Sequence, residues 1–262
     1  MSLKRGSRRS AGLRPTAVNS ILAEARALER QGRALCSLMR GEPDLPTPEH
    51  VVEAAISSLG RGRTGYPDNR GEPALREAVA AKLERENGLR YDPETEILIT
   101  TGATFGIYAA LAAVLDEGDE VLLPDPVYDA YRSPIALAGA GVRPVAARLE
   151  NGRFALPPEA LEAAWTPRSR VLLLNTPWNP VGTVLGEEEL RAIAGFVERR
   201  DLLLISDEIY EAIVYEGRRH LSPAAAGLRE RTILVNSFSK TYSMTGWRVG
   251  YCAAPADLTR AM

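Results

Sequence analysis

The alternation of polar and apolar positions changes character near residue 97. From there onward short apolar runs recur at intervals: ILIT, EVLLP, RPVAA, RVLLLN, LLLIS, TILVN and VGYCAA. Such runs, bounded by turn-forming residues, read as strands covered on both faces. Helical spacing fills the gaps at 105–115, 127–138, 157–164 and 186–199, with a kink or interruption expected at Pro134. Seven strand candidates alternating with helices predict an α/β fold, a mainly parallel seven-stranded sheet with helices on both faces. Sheets of this kind bind ligands at the carboxyl ends of their strands, so the residues just beyond each run are the first candidates for function.

Before residue 97 the pattern is helical and broken. Val18, Ile21, Leu22, Ala25 and Leu28 share one helical face within 16–33. In GEPDLPTPEH, at 41–50, three prolines exclude a helix and make a connector, and Thr47 or Pro48 opens the next helix, ending near Leu59. GEPALREAVAAKLERENG predicts a helix over 73–86, closed by Gly88. The chain therefore divides into an N-terminal segment with its connector, 1–48, and a large α/β domain, 49–262.

Composition narrows the chemistry. With 262 residues, 45% hydrophobic and 25% charged, the chain can bury a substantial core. A net charge of −2 and the lack of a long basic block argue against nucleic acid as a partner. The basic stretch 1–9 is not followed by an apolar signal region, and no run approaches the roughly 20 apolar residues of a membrane span, so a cytoplasmic location without membrane partners is expected. Cys36 and Cys252 make no CxxC pair, and His50 and His220 are too few for a histidine metal cluster or a Ser-His-Asp triad. No metal is expected.

Two motifs fail their structural test. GRGRTG, at 60–65, has dinucleotide-loop spacing but follows a helix instead of a strand. LLLISDE resembles the acidic strand of a nucleotide triphosphatase, yet the chain contains no GK pair to accompany it.

The strand ends are more informative. Thr101-Gly102-Ala103-Thr104 leads from ILIT into a helix, where backbone N–H groups suit a phosphate. Tyr128 follows EVLLP and offers a ring for stacking, and Asn179 follows RVLLLN and offers an amide. Asp207 and Tyr210 follow LLLIS, while Ser237, Ser239 and Lys240 follow TILVN, with Arg248 beyond. Each has a plain alternative: Gly102 as a turn glycine, Asp207 as a helix cap, Tyr128 as packing, Asn179 as a turn residue before proline, Lys240 as a solvated charge. What favours a site is their concurrence at separate strand ends. Lysine is also scarce, with only Lys4, Lys82 and Lys240 among 32 basic residues, so Lys240 calls for chemistry that arginine cannot perform.

SFSKTYSMTGWRVG, at 237–250, is similar to the lysine signature of the aspartate-aminotransferase-like family, the class I and II aminotransferases, which are pyridoxal-phosphate enzymes of fold type I. GYPDNRGEPALREAVA, ITTGATFGIYAAL, LPDPVYDAY, NTPWNPVG and SDEIY resemble the family's other blocks, in family order. The resemblance implies transfer of an amino group from an amino acid to a 2-oxo acid. The runner-up is other chemistry of the same fold, β-elimination or decarboxylation. A different class of reading is a catalytically incompetent fragment or a cofactor-sensing domain. Position by position, it implies that Lys240 forms the Schiff base and moves the proton, Asp207 faces the pyridine nitrogen, and Tyr210 and Asn179 bond the ring oxygen. Tyr128 stacks on the ring; Gly102, Ala103, Thr104, Ser237 and Arg248 hold the phosphate. Tyr66 reaches the phosphate of a neighbouring subunit in a homodimer, and Gly41, with Asn179, lies near the substrate. Lys240 is then the group with a removable proton, its amine held below its ordinary value of about 10.4, and Arg248 is the fixed, forked charge. Family members are longer. The segment 1–48 corresponds to part of their small domain, whose remainder, with an arginine for the substrate carboxylate, is expected to be absent beyond Met262.

Overall fold

The computed structural model describes residues 7, 10, 12, 13, 15–36, 38 and 41–262; most of the basic stretch 1–9 lies outside them. Its strands are β1 (Ile97–Thr100), β2 (Glu120–Asp125), β3 (Gly141–Ala146), β4 (Arg148–Glu150), β5 (Arg153–Ala155), β6 (Ser169–Asn175), β7 (Leu203–Asp207), β8 (Thr232–Ser237) and β9 (Gly250–Ala253). The seven predicted strands form one sheet in the order β1-β9-β8-β7-β6-β2-β3. All neighbours pair in parallel except those of β9, which runs against both β1 and β8. β4 and β5 form a separate antiparallel hairpin absent from the sequence expectation. Its strands carry Arg148, Glu150 and Arg153 instead of an apolar run, and the hairpin is set by Asn151-Gly152, both at positive φ.

The helices are α1 (Ala17–Arg30), α2 (Glu49–Gly60), α3 (Pro73–Lys82), α4 (Gly102–Val114), α5 (Arg132–Leu137), α6 (Pro158–Ala164), α7 (Glu187–Arg199), α8 (Phe238–Thr241) and α9 (Ala256–Ala261). Thr16 caps α1 by accepting from the Asn19 amide at 3.2 Å. The helix expected over 73–86 narrows to α3, followed by a wide π turn over Leu83–Asn87 that Gly88 closes at φ 68°. The helix expected over 127–138 is corrected. It is a 3₁₀ turn, Asp129–Tyr131, then α5, and Pro134 is not the break. Pro134 sits in the first turn of α5, where its missing N–H has no intrahelical partner to lose. α4 begins at Gly102, three residues before the expected start.

Period-two alternation sends each strand's apolar side chains to opposite faces. Val171 and Leu173 of β6 join Val121, Leu123, Ile205 and Val235 under Ile107, Leu111 and Ile135 of α4 and α5. Leu172 and Leu174 point the other way, to Leu122 and Leu204 under Leu161, Ile193 and Phe196 of α6 and α7. A third cluster packs Val79 of α3 and Leu83 against Ile97, Leu234 and Tyr251. Helices thus cover both faces, as expected. β7 is the central strand, so its last residue, Asp207, is buried with neighbours on both sides. Among the described residues no helix is long and apolar enough to cross a membrane.

Candidate active site

At the carboxyl edge of the sheet lies a cavity of about 700 Å³. Gly41, Ala103, Thr104, Tyr128, Asn179, Asp207, Tyr210, Lys240 and Arg248, nine of the predicted site residues, line it. Gly102 and Ser237 flank the wall, one at the head of α4 and the other at the end of β8. Tyr66 stands apart, fully exposed in this single chain.

Asp207 is 4% exposed. Its Oδ2 accepts from Tyr131 Oη at 2.6 Å and its Oδ1 from the Ile209 amide at 3.2 Å. Burial raises its pKa from 3.8 to about 6, opposed by the Tyr131 hydrogen bond. The carboxyl remains ionised at neutral pH. Tyr210 is pushed up to about 12, first by burial and then by the Asp207 charge, so its hydroxyl keeps its proton. Asn179 Nδ2 donates to Tyr210 Oη at 3.3 Å, and Asn175 Oδ1 accepts from the Asn179 amide at 2.7 Å. Asn175 Nδ2 also donates to the Asp207 carbonyl at 3.0 Å, so one buried amide ties the two strand ends together.

Lys240 sits in α8, a single turn opened by Ser237, whose Oγ accepts from the Ser239 amide at 2.9 Å. Its Nζ donates to the Gly41 carbonyl and lies 5.8 Å from the centroid of the Tyr210 ring. Lys82, by contrast, is half-buried in an ion pair with Glu211. Of the two lysines among the described residues, Lys240 faces the cavity and Lys82 holds the fold.

The anion cradle is built by close approach. α4 starts at Gly102 with φ 75° and no side-chain cap from Thr101, which leaves its first-turn amides without partners inside the helix. A Cβ on Gly102 would lie 3.0 Å from Arg248 Cζ, and closer to Nη2, so the guanidinium lies across this turn. Arg248 itself adopts φ 55° and donates from Nη1 to the Thr245 carbonyl at 2.8 Å.

Sequence reasoning missed Tyr131, Asn175 and the α1 wall of Val18, Asn19 and Leu22. Tyr131 lies in the same block as Tyr128 and was passed over for it; Asn175 ends its apolar run and the strand-end rule alone would have found it. α1 is brought to the cavity by a bond no local pattern reveals, from the Ala17 amide to Asp129 Oδ2 at 2.7 Å. Glu208, Glu211 and His220 form a cluster of ligand-type groups within 4.8 Å of one another, with a single histidine among them. Their oxygens are already engaged: Glu208 by Ser206, Ser222 and His220, Glu211 by Lys82, Asn87 and Asn236.

The family model for aminotransferase class I and II matches residues 34–262. The chain belongs to this family. It is 40% identical over 257 residues to the aspartate aminotransferase of Geobacillus stearothermophilus, covering 97% of this chain and 65% of that protein. It is 43% identical to the aspartate/prephenate aminotransferase of Thermus thermophilus, covering 98% of this chain and 66% of that one. Among solved structures, aspartate aminotransferase from Thermus thermophilus with maleate superimposes with a TM-score of 0.94 at 41% identity, over 99% of this chain and 67% of that chain. N-succinyldiaminopimelate aminotransferase from Mycobacterium tuberculosis does so with a TM-score of 0.92 at 38% identity, over 98% and 66% of the two chains. This aminotransferase-family chain therefore spans about 65% of the length of the curated relatives it matches first.

Proposed function

We propose that the chain carries the cofactor site of a pyridoxal-phosphate-dependent aminotransferase that moves an amino group from an amino acid to a 2-oxo acid. The observation behind this reading is the convergence of Lys240, Asp207 and the Gly102–Arg248 cradle on one cavity. The residues fit the group. An uncapped helix start under a guanidinium suits a phosphate dianion, and a buried carboxylate suits a protonated ring nitrogen. When bound, pyridoxal phosphate supplies an aldehyde and a cationic ring that accepts the electrons of a broken Cα–H bond.

The chain's own residues do the rest. Asp207, ionised at neutral pH, keeps the ring nitrogen protonated. Tyr210, which keeps its own proton, and the Asn179 amide both donate toward the ring oxygen. Tyr128, beside them on the wall, offers its face for stacking. The amides of Gly102, Ala103 and Thr104, Ser237 Oγ and Arg248 hold the phosphate. Lys240 Nζ is the nucleophile toward the aldehyde and afterwards carries the proton on and off the substrate carbon; only an amine able to lose its proton can do both.

Residues 49–262 form the large cofactor-binding domain in this reading, and the segment before them, with Gly41 and α1, closes the substrate side. The exposed apolar side chains Ile56 and Leu59 on α2 and the fully exposed Tyr66 suit a homodimer in which Tyr66 reaches the neighbouring site. The test is spectroscopic. Pyridoxal phosphate added to the purified chain should give a visible absorbance band that amino acids then remove. A band unchanged in Lys240→Ala would overturn the assignment of the lysine.

A further inference from the structure

Tyr131 is 2% exposed and none of the blocks above gives it a role. It closes the 3₁₀ turn Asp129–Tyr131, which is pinned to α1 through Asp129 Oδ2. From there its hydroxyl donates to Asp207 Oδ2 at 2.6 Å, while its ring meets Tyr128 edge to face, centroids 5.4 Å apart at 86°. One buried side chain thus touches both the carboxylate at the centre of the cavity and the aromatic plate on its wall.

We propose that Tyr131 is a positioning residue that keeps Asp207 ionised and its carboxylate plane fixed while bracing Tyr128, an inference resting on the reading of Asp207 as the partner of a protonated ring nitrogen. The carboxylate has two inward donors, the phenol on Oδ2 and the Ile209 amide on Oδ1. Each oxygen keeps a further lone pair for a third donor from the cavity. Burial and the neighbouring Glu208 oppose ionisation of Asp207; the phenol is the strongest influence favouring it. Tyr210 and Cys252 also feel its charge, and Lys240 and Arg248 share the cavity. The phenol cannot lose this role by ionising, because burial and the Asp207 charge drive its pKa well above the ordinary tyrosine value. A buried O–H···O⁻ contact of this length is a charge-assisted bond.

The experiment follows the Asp207 carboxyl carbon by NMR in the cofactor-free full chain labelled with ¹³C-aspartate, the signal being assigned from Asp207→Asn. In the unmodified chain the midpoint should fall at about pH 6. Tyr131→Phe should move it upward by about one pH unit, the loss expected for one hydrogen bond to a charge. 3-Fluorotyrosine at position 131, a stronger donor of nearly the same size, should move it downward, and it serves if the Phe variant does not fold. An Asp207 midpoint that ignores both changes overturns the proposal, since a merely structural tyrosine would not produce opposite shifts. With pyridoxal phosphate added, Tyr131→Phe should bind about tenfold more weakly. Unchanged affinity would overturn the link to the ring nitrogen. A chain that never binds the cofactor would instead sink the proposed function and leave the Tyr131–Asp207 titration intact.

Discussion

Gly250 packs directly against Gly102. A Cβ added to Gly250 would sit 2.7 Å from the Gly102 carbonyl carbon and 2.8 Å from the Ala103 nitrogen. Gly250, which ends the block SFSKTYSMTGWRVG, is thus what lets β9 lie across the first turn of α4, and it places Arg248, two residues earlier, over the anion cradle. The obstructing atoms are backbone, which cannot rotate aside. Gly250→Ala should therefore cost about 1–3 kcal/mol in urea denaturation. Gly65→Ala, where a Cβ meets nothing within 4 Å, should stay within about 0.5 kcal/mol.

Gly102 faces a different obstacle. Its φ of 75° disfavours any side chain, and its Cβ would meet the guanidinium, which can swing away. Gly102→Ala should lower stability by only about 1 kcal/mol, the penalty of the left-handed region, yet displace Arg248 from the cradle. Calorimetric titration with pyridoxal phosphate should show the larger effect, in binding and not in unfolding.

Arg248 donates to the Thr245 carbonyl and is otherwise exposed, so its loss should leave the fold intact. Arg248→Gln should weaken pyridoxal phosphate binding by about 10- to 100-fold, the range for losing a charged hydrogen-bond partner. Binding measured at raised salt should narrow the gap between the variant and the unmodified chain, because the lost contact is electrostatic.

Asp207 also leaves a mark on stability. Its pKa is raised by burial from 3.8 to about 6, so between those values the folded chain holds a proton that the unfolded chain has released. The native state is favoured by this group below about pH 4 and loses that advantage as the pH rises to about 6, by roughly 3 kcal/mol at most. Asp207→Asn cannot titrate. In the cofactor-free protein it should gain stability relative to the unmodified chain between pH 4.5 and 7.5, and a constant difference across that range would contradict the burial argument.

Much of this is legible in the amino-acid sequence. The seven apolar runs became the seven strands of the sheet because strands covered on both faces must be apolar along their whole length. Seven of the nine predicted site residues that line the cavity do so because the ends of parallel strands are brought to a common edge; Gly41 comes from the connector and Arg248 from just before β9. What escaped depends on contacts between distant segments. The charged hairpin β4–β5 has no apolar signature, and the α1 wall is brought in by the Ala17–Asp129 bond. Tyr131 has no local signal of its own, because its role depends on a hydrogen bond to Asp207, 76 residues away.

The central claim is that Lys240 reacts with the cofactor aldehyde while the other lysines do not. Sodium borohydride added to the chain with pyridoxal phosphate fixes any such bond, and peptide mass mapping then locates it among Lys4, Lys82 and Lys240. The account predicts the pyridoxyl mass on Lys240 alone, lost in Lys240→Ala. Label on Lys82, or an unlabelled Lys240 in a chain that still binds the cofactor, would contradict it.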